Sequence, residues 1–320
     1  MKNYTVSVCM ITYGHEKFIQ KAIEGVLMQK CNFDVELIVV NDCSPDNTDI
    51  IINDIINTHK KAYWINYIKH EKNIGMMPNF IYTLQQSNAK YIAICEGDDY
   101  WTDPYKLQKQ VDFLEANSEY VLCFTNTKIK TNTSLVDNNL IVPKNYENIE
   151  TLAYIGNYIH TPTVVFKNII KEFPNQFNNS PIGDYFIYML LSEKGKIYFI
   201  DEYTTVYRKH VGTFSSLDNN VQYQKMTTCR ALLYDYFNTK NNTKIAKILK
   251  NKIVQYFRDT DKIFTVNEIK NITKNDELTL AIYEYFYIFC KQKNFIKSIS
   301  SMDLVKIFIQ RLLKKIKIKK

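Results

Sequence analysis

A chain of 320 residues with 46% hydrophobic and 23% charged content can build one large or two medium cores, and its composition is not that of a disordered protein. The net charge of +8 raises the question of nucleic acid, but Lys306, Arg311, Lys314, Lys315, Lys317, Lys319 and Lys320 crowd the C-terminal end. The remainder is close to balanced and carries no nucleic-acid motif, so no nucleic-acid partner is expected. No run approaches the roughly 20 apolar residues of a membrane-spanning helix. The opening residues read as a strand rather than a secretory signal, and seven scattered cysteines without a Cys-x-x-Cys pair fit a reduced, cytoplasmic compartment.

Residues 4–12 form a β-rich run, followed by a helical pattern over about 16–29. Residues 35–40 are continuously apolar, as in a strand buried on both faces. Ser44-Pro45 has the form of an N-cap with proline at the first helical position, opening a helix towards residue 59. A third strand is predicted over 62–69, a helix over 77–87, and a fourth strand over 90–95. Asp103-Pro104 repeats the cap device before a helix reaching about 117, and 120–130 reads as a fifth strand. The pattern loosens into a polar, Asn-rich connection over 131–148; 163–167 and 196–207 read as further strands around a helix near Gly183-Asp184. This alternation predicts an α/β fold with a mostly parallel sheet flanked by helices. One catalytic domain over residues 1–215 and a helical region over 216–320 are expected.

In an open parallel sheet, ligands bind beyond the carboxyl ends of the strands. Those ends here carry Thr12-Tyr13-Gly14-His15, Asn41-Asp42-Cys43-Ser44, His70-Glu71-Lys72-Asn73-Ile74-Gly75 and Glu96-Gly97-Asp98-Asp99-Tyr100-Trp101. No G-x-G-x-x-G follows the first strand and no Walker-type loop is present, so phosphates need another source of neutralisation. A divalent cation on the Asp98/Asp99 pair is the natural candidate, because Mn²⁺ and Mg²⁺ take oxygen ligands and use few protein carboxylates. The competing account, an acidic turn capping the next helix, is weakened by Asp103, which supplies a better-placed cap.

Taken together, Val6-Ser7-Val8-Cys9-Met10-Ile11-Thr12-Tyr13, Val39-Val40-Asn41-Asp42-Cys43-Ser44-Pro45-Asp46-Asn47-Thr48, Asn73-Ile74-Gly75 and Glu96-Gly97-Asp98-Asp99 resemble the family-2 glycosyltransferases. The resemblance covers roughly residues 4–215 and implies a GT-A fold and inverting transfer from a nucleotide-sugar donor, commonly a UDP-sugar. It implies a nucleotide site formed by Thr12, Tyr13, Asp42, Asn73, Gly75, Glu96 and Gly97, with Asp42 on the base and Glu96 in the place of the first Asp of the family's D-x-D motif. Asp98 would ligate Mn²⁺ or Mg²⁺ and Asp99 would support it. Ile182-Gly183-Asp184-Tyr185-Phe186 resembles the family's acceptor-side motif and makes Asp184 the candidate general base. Tyr207-Arg208-Lys209-His210 resembles a Tyr-Arg-x-His element, which would bring His210 to the metal and Arg208 to the diphosphate or acceptor side. Trp101 is assigned to the diphosphate or acceptor side, and His160-Thr161-Pro162-Thr163 falls where acceptor-side residues are expected.

The implied partners are a nucleotide-sugar donor and a glycan or lipid-linked acceptor of surface-polysaccharide or glycoconjugate synthesis. Residues 302–320 place Leu304, Val305, Phe308, Ile309, Leu312, Leu313 and Ile316 at helical spacing among basic residues. That pattern fits either a terminal helix docked on the protein or attachment to an anionic membrane surface on the inner face of the cytoplasmic membrane. A sugar-nucleotide nucleotidyltransferase and a non-catalytic nucleotide-sugar-binding scaffold are the alternative functions.

Overall fold

The apolar runs that open the chain become strands β1 (Val6–Thr12) and β2 (Val35–Asn41), buried at every position and paired in parallel from Val6 against Val35 to Thr12 against Asn41. The computed structural model describes residues 4–138, 142–260 and 265–292. Between the two strands runs α1 (Ile19–Leu27), whose Ile19, Ala22, Ile23, Val26 and Leu27 recur on one face and are buried. Each such aliphatic side chain contributes roughly 1.5–3 kcal/mol through burial. Gly25 lets that helix approach closely, since a Cβ there would lie 2.8 Å from the backbone nitrogen of Trp101.

The chain continues through α2 (Thr48–Thr58), a 3₁₀ turn at Ala62–Trp64, β3 (Ile65–Lys69), α3 (Met76–Gln86), β4 (Tyr91–Ile94), β5 (Tyr100–Trp101) and α4 (Lys106–Ala116). Then follow β6 (Tyr120–Lys130), β7 (Leu135–Asp137), α5 (Ile149–Ile155), a 3₁₀ turn at Thr161–Thr163, β8 (Val165–Lys167), α6 (Asn175–Asn178), α7 (Gly183–Ser192) and β9 (Lys196–Arg208). The sheet order is β3-β2-β1-β4-β8-β6-β9-β5, with β7 on β6. Among the described residues, β1, β2, β3, β4, β6 and β9 point one way, while β5, β7 and β8 oppose them. The sheet is therefore mostly parallel, with β8 inserted antiparallel between β4 and β6.

A bend and a second pairing partner carry β9 towards the rim of the sheet. Its register against β6 slips between Thr125 and Thr127, where Ile200 pairs with Thr125 but Tyr203 with Asn126 and Thr205 with Thr127. The extra residues bend the strand. Beyond the bend, Thr205 and Val206 also pair with Trp101 and Tyr100, which delivers Arg208 to the residues between β4 and β5.

Several local expectations need correction. Ser44 does not cap α2: its hydroxyl donates to Asn41 Oδ1 (2.6 Å), and Asp46 Oδ1 accepts the Thr48 amide (3.1 Å), so the helix begins at Thr48. Asp103 does accept a turn amide, from Tyr105 (2.8 Å), but α4 starts only at Lys106. Residues 62–64 are a 3₁₀ turn rather than strand, and the loosened stretch after residue 130 holds the short strand β7.

The chain divides into two units, residues 1–222 and 223–320. In the second, α9 (Thr243–Asp259) is capped by Asn242, whose side chain accepts the Ile245 amide, and α10 (Val266–Thr273) opens with a Thr265/Glu268 capping box. These helices, the rest of α8 (Asn219–Thr239) and α11 (Asp276–Gln292) bury Leu233, Phe237, Leu249, Ile253, Phe257, Ile269, Ile272, Leu278 and Ile282. No helix among the described residues is long and apolar enough to cross a membrane. The basic stretch 302–320 lies outside the described residues.

Candidate functional site

Strand β4 ends at Ile94 and the chain turns through Cys95-Glu96-Gly97-Asp98-Asp99 into β5. Gly97 presses this turn onto the end of β1. Its amide donates to the Ile11 carbonyl (3.0 Å), and a Cβ there would stand 2.7 Å from Thr12 Oγ1 and 2.8 Å from His15 Nδ1. Carboxylate oxygens of Glu96, Asp98 and Asp99 lie within 4.8 Å of one another, and Asp98 and Asp99 are only 7% and 1% exposed. Burial, then the charges of Asp98 and Asp184, hold the Glu96 carboxyl well above the usual carboxylate range. Burial and the Asp98 charge do the same to Asp99, against the opposing pull of the Arg208 amide.

Arg208 braces this turn. Its amide donates to Asp99 Oδ1 (2.7 Å), its guanidinium donates to the Asp98 carbonyl, and the same group stacks 4.6 Å from the Tyr100 ring and 4.9 Å from Phe18. Asp99 Oδ2 is left buried without a hydrogen-bond partner. Three acids thus converge on one point where an oxygen is unpaired, and an all-oxygen donor set of this kind fits Mg²⁺ or Mn²⁺. The loop after β9 closes in as well, since a Cβ on Gly212 would lie 2.7 Å from Asp98 Oδ2.

On the neighbouring strand ends, Asp42 is buried and its two oxygens accept the amides of Ile74 (2.7 Å) and Gly75 (2.9 Å). It therefore fixes the β3–α3 loop and the positive-φ Gly75 that opens α3. Asn73 and Tyr13 are exposed on the same rim, and Thr12 Oγ1 meets His15 Nδ1 at 3.1 Å. His15 itself is depressed in pKa by burial.

Asp184 stands in the first turn of α7. Its Oδ2 accepts hydrogen bonds from Asn157 Nδ2 (2.8 Å) and the Thr161 hydroxyl (3.1 Å), and Oδ1 accepts the Tyr185 amide (2.6 Å). Burial raises its pKa while these donors pull it back. Its charge reaches Glu96, so Asp184 and the acidic turn share one electrostatic site. One helical turn on, the Tyr188 hydroxyl is buried with no partner and faces the charges of both Asp184 and Glu96.

Two residues stand differently from their expected places. The His210 imidazole Nδ1 meets the Ser215 carbonyl (3.2 Å) and the residue is exposed at φ +67°; the acidic cluster forms without it. Trp101 is 2% exposed, with its indole N–H on the Pro162 carbonyl (2.9 Å), so it braces the site from within the core and offers no face to a ligand.

A model of glycosyl transferase family 2 matches residues 7–173, just over half of the chain. The chain belongs to that family. It is 31% identical over 206 residues to an uncharacterized protein of Mycobacterium tuberculosis, a match covering 64% of this chain and 59% of that protein. The chain thus spans about three fifths of that relative's length. Among solved structures it is similar to S. aureus TarS 1–349 in complex with UDP-GlcNAc, with TM-score 0.61 and 18% identity over 87% of this chain and 83% of that one. It is also similar to the mannosyltransferase PcManGT of Pyrobaculum calidifontis in complex with GDP-Man and Mn²⁺, with TM-score 0.52 and 11% identity over 92% and 83% of the two chains. The fold is the GT-A type.

Within this family-2 chain, Asn157 and Tyr188 went unread in the sequence. Asn157 sits in a loop with no distinguishing neighbours, and Tyr188 looks like one more apolar residue of a buried helix. A signal for Tyr188 did exist: it falls four positions after Asp184 and so shares its helix face.

Proposed function

We propose that this family-2 glycosyltransferase moves a sugar from a nucleoside diphosphate donor, a UDP-sugar, to a hydroxyl of a glycan or lipid-linked acceptor, with inversion at the anomeric carbon. The observation that carries the reading is the Glu96-Asp98-Asp99 cluster, with Asp98 and Asp99 buried and one Asp99 oxygen unpaired. Asp98 and Asp99 are the residues that would hold Mn²⁺ or Mg²⁺, and Arg208 keeps their turn in shape. Bound there, the cation supplies Lewis-acid stabilisation of the departing diphosphate.

The chain's own chemistry is the proton transfer. Asp184 Oδ1 or Oδ2 takes the proton of the acceptor hydroxyl as that oxygen bonds to the anomeric carbon, while the bond from that carbon to the diphosphate oxygen breaks. Asn157, Thr161 and the Tyr185 amide hold the carboxylate for this step. The strand-end rim of Thr12, Tyr13, Asn73 and Gly75 is the nucleotide side, where Asp42 acts by fixing the Ile74 and Gly75 amides. For the lipid-linked acceptor, the support is the basic amphipathic pattern of residues 302–320, suited to an anionic membrane surface.

The test is UDP release from a panel of UDP-sugars with Mn²⁺, in the presence of a hydroxyl acceptor. Turnover by the wild type that drops about a thousandfold in Asp98→Ala, a loss of several kcal/mol of transition-state stabilisation, is the expected result. Undiminished turnover in Asp98→Ala would overturn the metal reading.

A further inference from the structure

Behind the site lies a buried polar chain that the proposed reaction does not use. Lys106 is 0% exposed. Its ammonium donates to Gln110 Oε1 (2.7 Å) and lies 4.4 Å from the centre of the Trp101 ring. Gln110 Nε2 in turn donates to the carbonyls of Cys123 (2.9 Å) and Thr163 (2.9 Å). Backbone carbonyls can only accept, so they take both amide hydrogens of Gln110 and leave its Oε1 to accept from Lys106. Burying a lysine is costly, and a geometry that orients a neighbour is a reason to retain it.

Cys123 belongs to β6, whereas Thr163 belongs to a short turn beside the site. Trp101 Nε1 holds Pro162 and Gln110 holds Thr163, while the Thr163 hydroxyl closes the turn on the His160 carbonyl (2.6 Å). Between these anchors sits Thr161, whose hydroxyl donates to Asp184 Oδ2. The turn is therefore pinned on the Pro162 and Thr163 carbonyls, and the Thr161 hydroxyl points from it at the carboxylate.

We propose that Trp101 and the Lys106–Gln110 pair are positioning residues for Asp184, acting through the Thr161 hydroxyl. This rests on the reading of Asp184 as the base. A misplacement of about 1 Å at a reacting group costs on the order of 100-fold in rate, so loosening the turn reaches the chemistry without touching the donor rim.

The experiment is a double-mutant cycle on the full chain. Trp101→Phe keeps the ring and removes the indole N–H; Thr161→Val removes the hydroxyl; Lys106→Met removes the donor with little change of volume. Each is read as donor Kd, acceptor KM and transfer kcat. Donor Kd is expected to stay within about twofold while kcat falls roughly 10- to 100-fold. Thr161→Ser is expected to restore the rate, and Trp101→Phe combined with Thr161→Val should fall no further than Thr161→Val alone. Additive losses, an unchanged kcat in Trp101→Phe, or donor affinity lost in step with kcat would overturn the proposal. If Lys106→Met fails to fold, the Trp101/Thr161 cycle still decides. Failure of the base reading looks different: Asp184→Asn would then remain active whatever the turn variants do.

Discussion

The two acidic regions of this site are built in opposite ways. Asp184 is met by donors: an amide side chain, a hydroxyl and a backbone N–H reach its two oxygens. The Glu96-Gly97-Asp98-Asp99 turn packs three carboxylates within 4.8 Å, raises two of them through burial and mutual charge, and leaves one oxygen of Asp99 unpaired. A carboxylate whose oxygens are met by donors needs no cation to complete it, and it is desolvation, against those donors, that favours a proton on it. A buried cluster short of positive charge is an unfinished one, completed by a cation. The same residue type thus stands in two environments, set by what each backbone turn brings near, and the proposed reaction gives each a different chemistry.

The comparison breaks most sharply at Asp184. Asp184→Asn keeps the shape and the Asn157 and Thr161 neighbourhood but removes the base, so transfer is expected to fall roughly 10²–10⁴-fold with donor affinity unchanged. Steady-state kinetics beside calorimetric donor binding checks this. In the wild type, burial raises the Asp184 pKa, so the base is lost to protonation at a higher pH than for an ordinary carboxylate near 3.9, and the acid limb of the rate profile shifts upward accordingly.

Gly97→Ala probes the other region. A methyl group 2.7 Å from Thr12 Oγ1 and 2.8 Å from His15 Nδ1 forces the acidic turn off the end of β1. A loss of about 1–3 kcal/mol is expected in chemical denaturation, with weaker nucleotide binding. Unchanged stability would mean that the turn is looser than its packing implies.

The smallest effect lies in the support beneath the site. Burial pushes the Lys106 amine down to about 7, whereas the unfolded chain holds that proton to about 10.4. Between pH 7 and about 8.5, where unfolded thiols begin to titrate, the unfolded state binds more protons, so this group makes stability rise with pH by at most about 1.4 kcal/mol per unit. Lys106→Met is expected to flatten that component, measured as the difference in denaturation midpoints across the window.

Much of the sheet was legible because its central strands are unbroken apolar runs, as in β1 and β2, and the acidic turn was legible because it follows one of them. Strand β5 was not: two residues make a strand only when Thr205 and Val206 arrive from more than a hundred positions away to pair with them. Likewise Ser44 looks like a cap, and only the position of Asn41 decides that its hydroxyl is occupied elsewhere. The sequence assigns Trp101 to the diphosphate or acceptor side, but in the fold its indole meets Lys106 and the Pro162 carbonyl. Features set by local sequence could be read; contacts set from far along the chain could not.

The central claim is that the acidic turn is completed by a divalent cation during donor binding. Isothermal titration of UDP into the protein, with and without Mn²⁺, tests it most directly in wild type, Asp98→Asn and Asp184→Asn. Tight binding that requires Mn²⁺ in wild type and Asp184→Asn and disappears in Asp98→Asn is the predicted result. UDP affinity that is the same with Mn²⁺ and with chelator, or that survives Asp98→Asn, would contradict it.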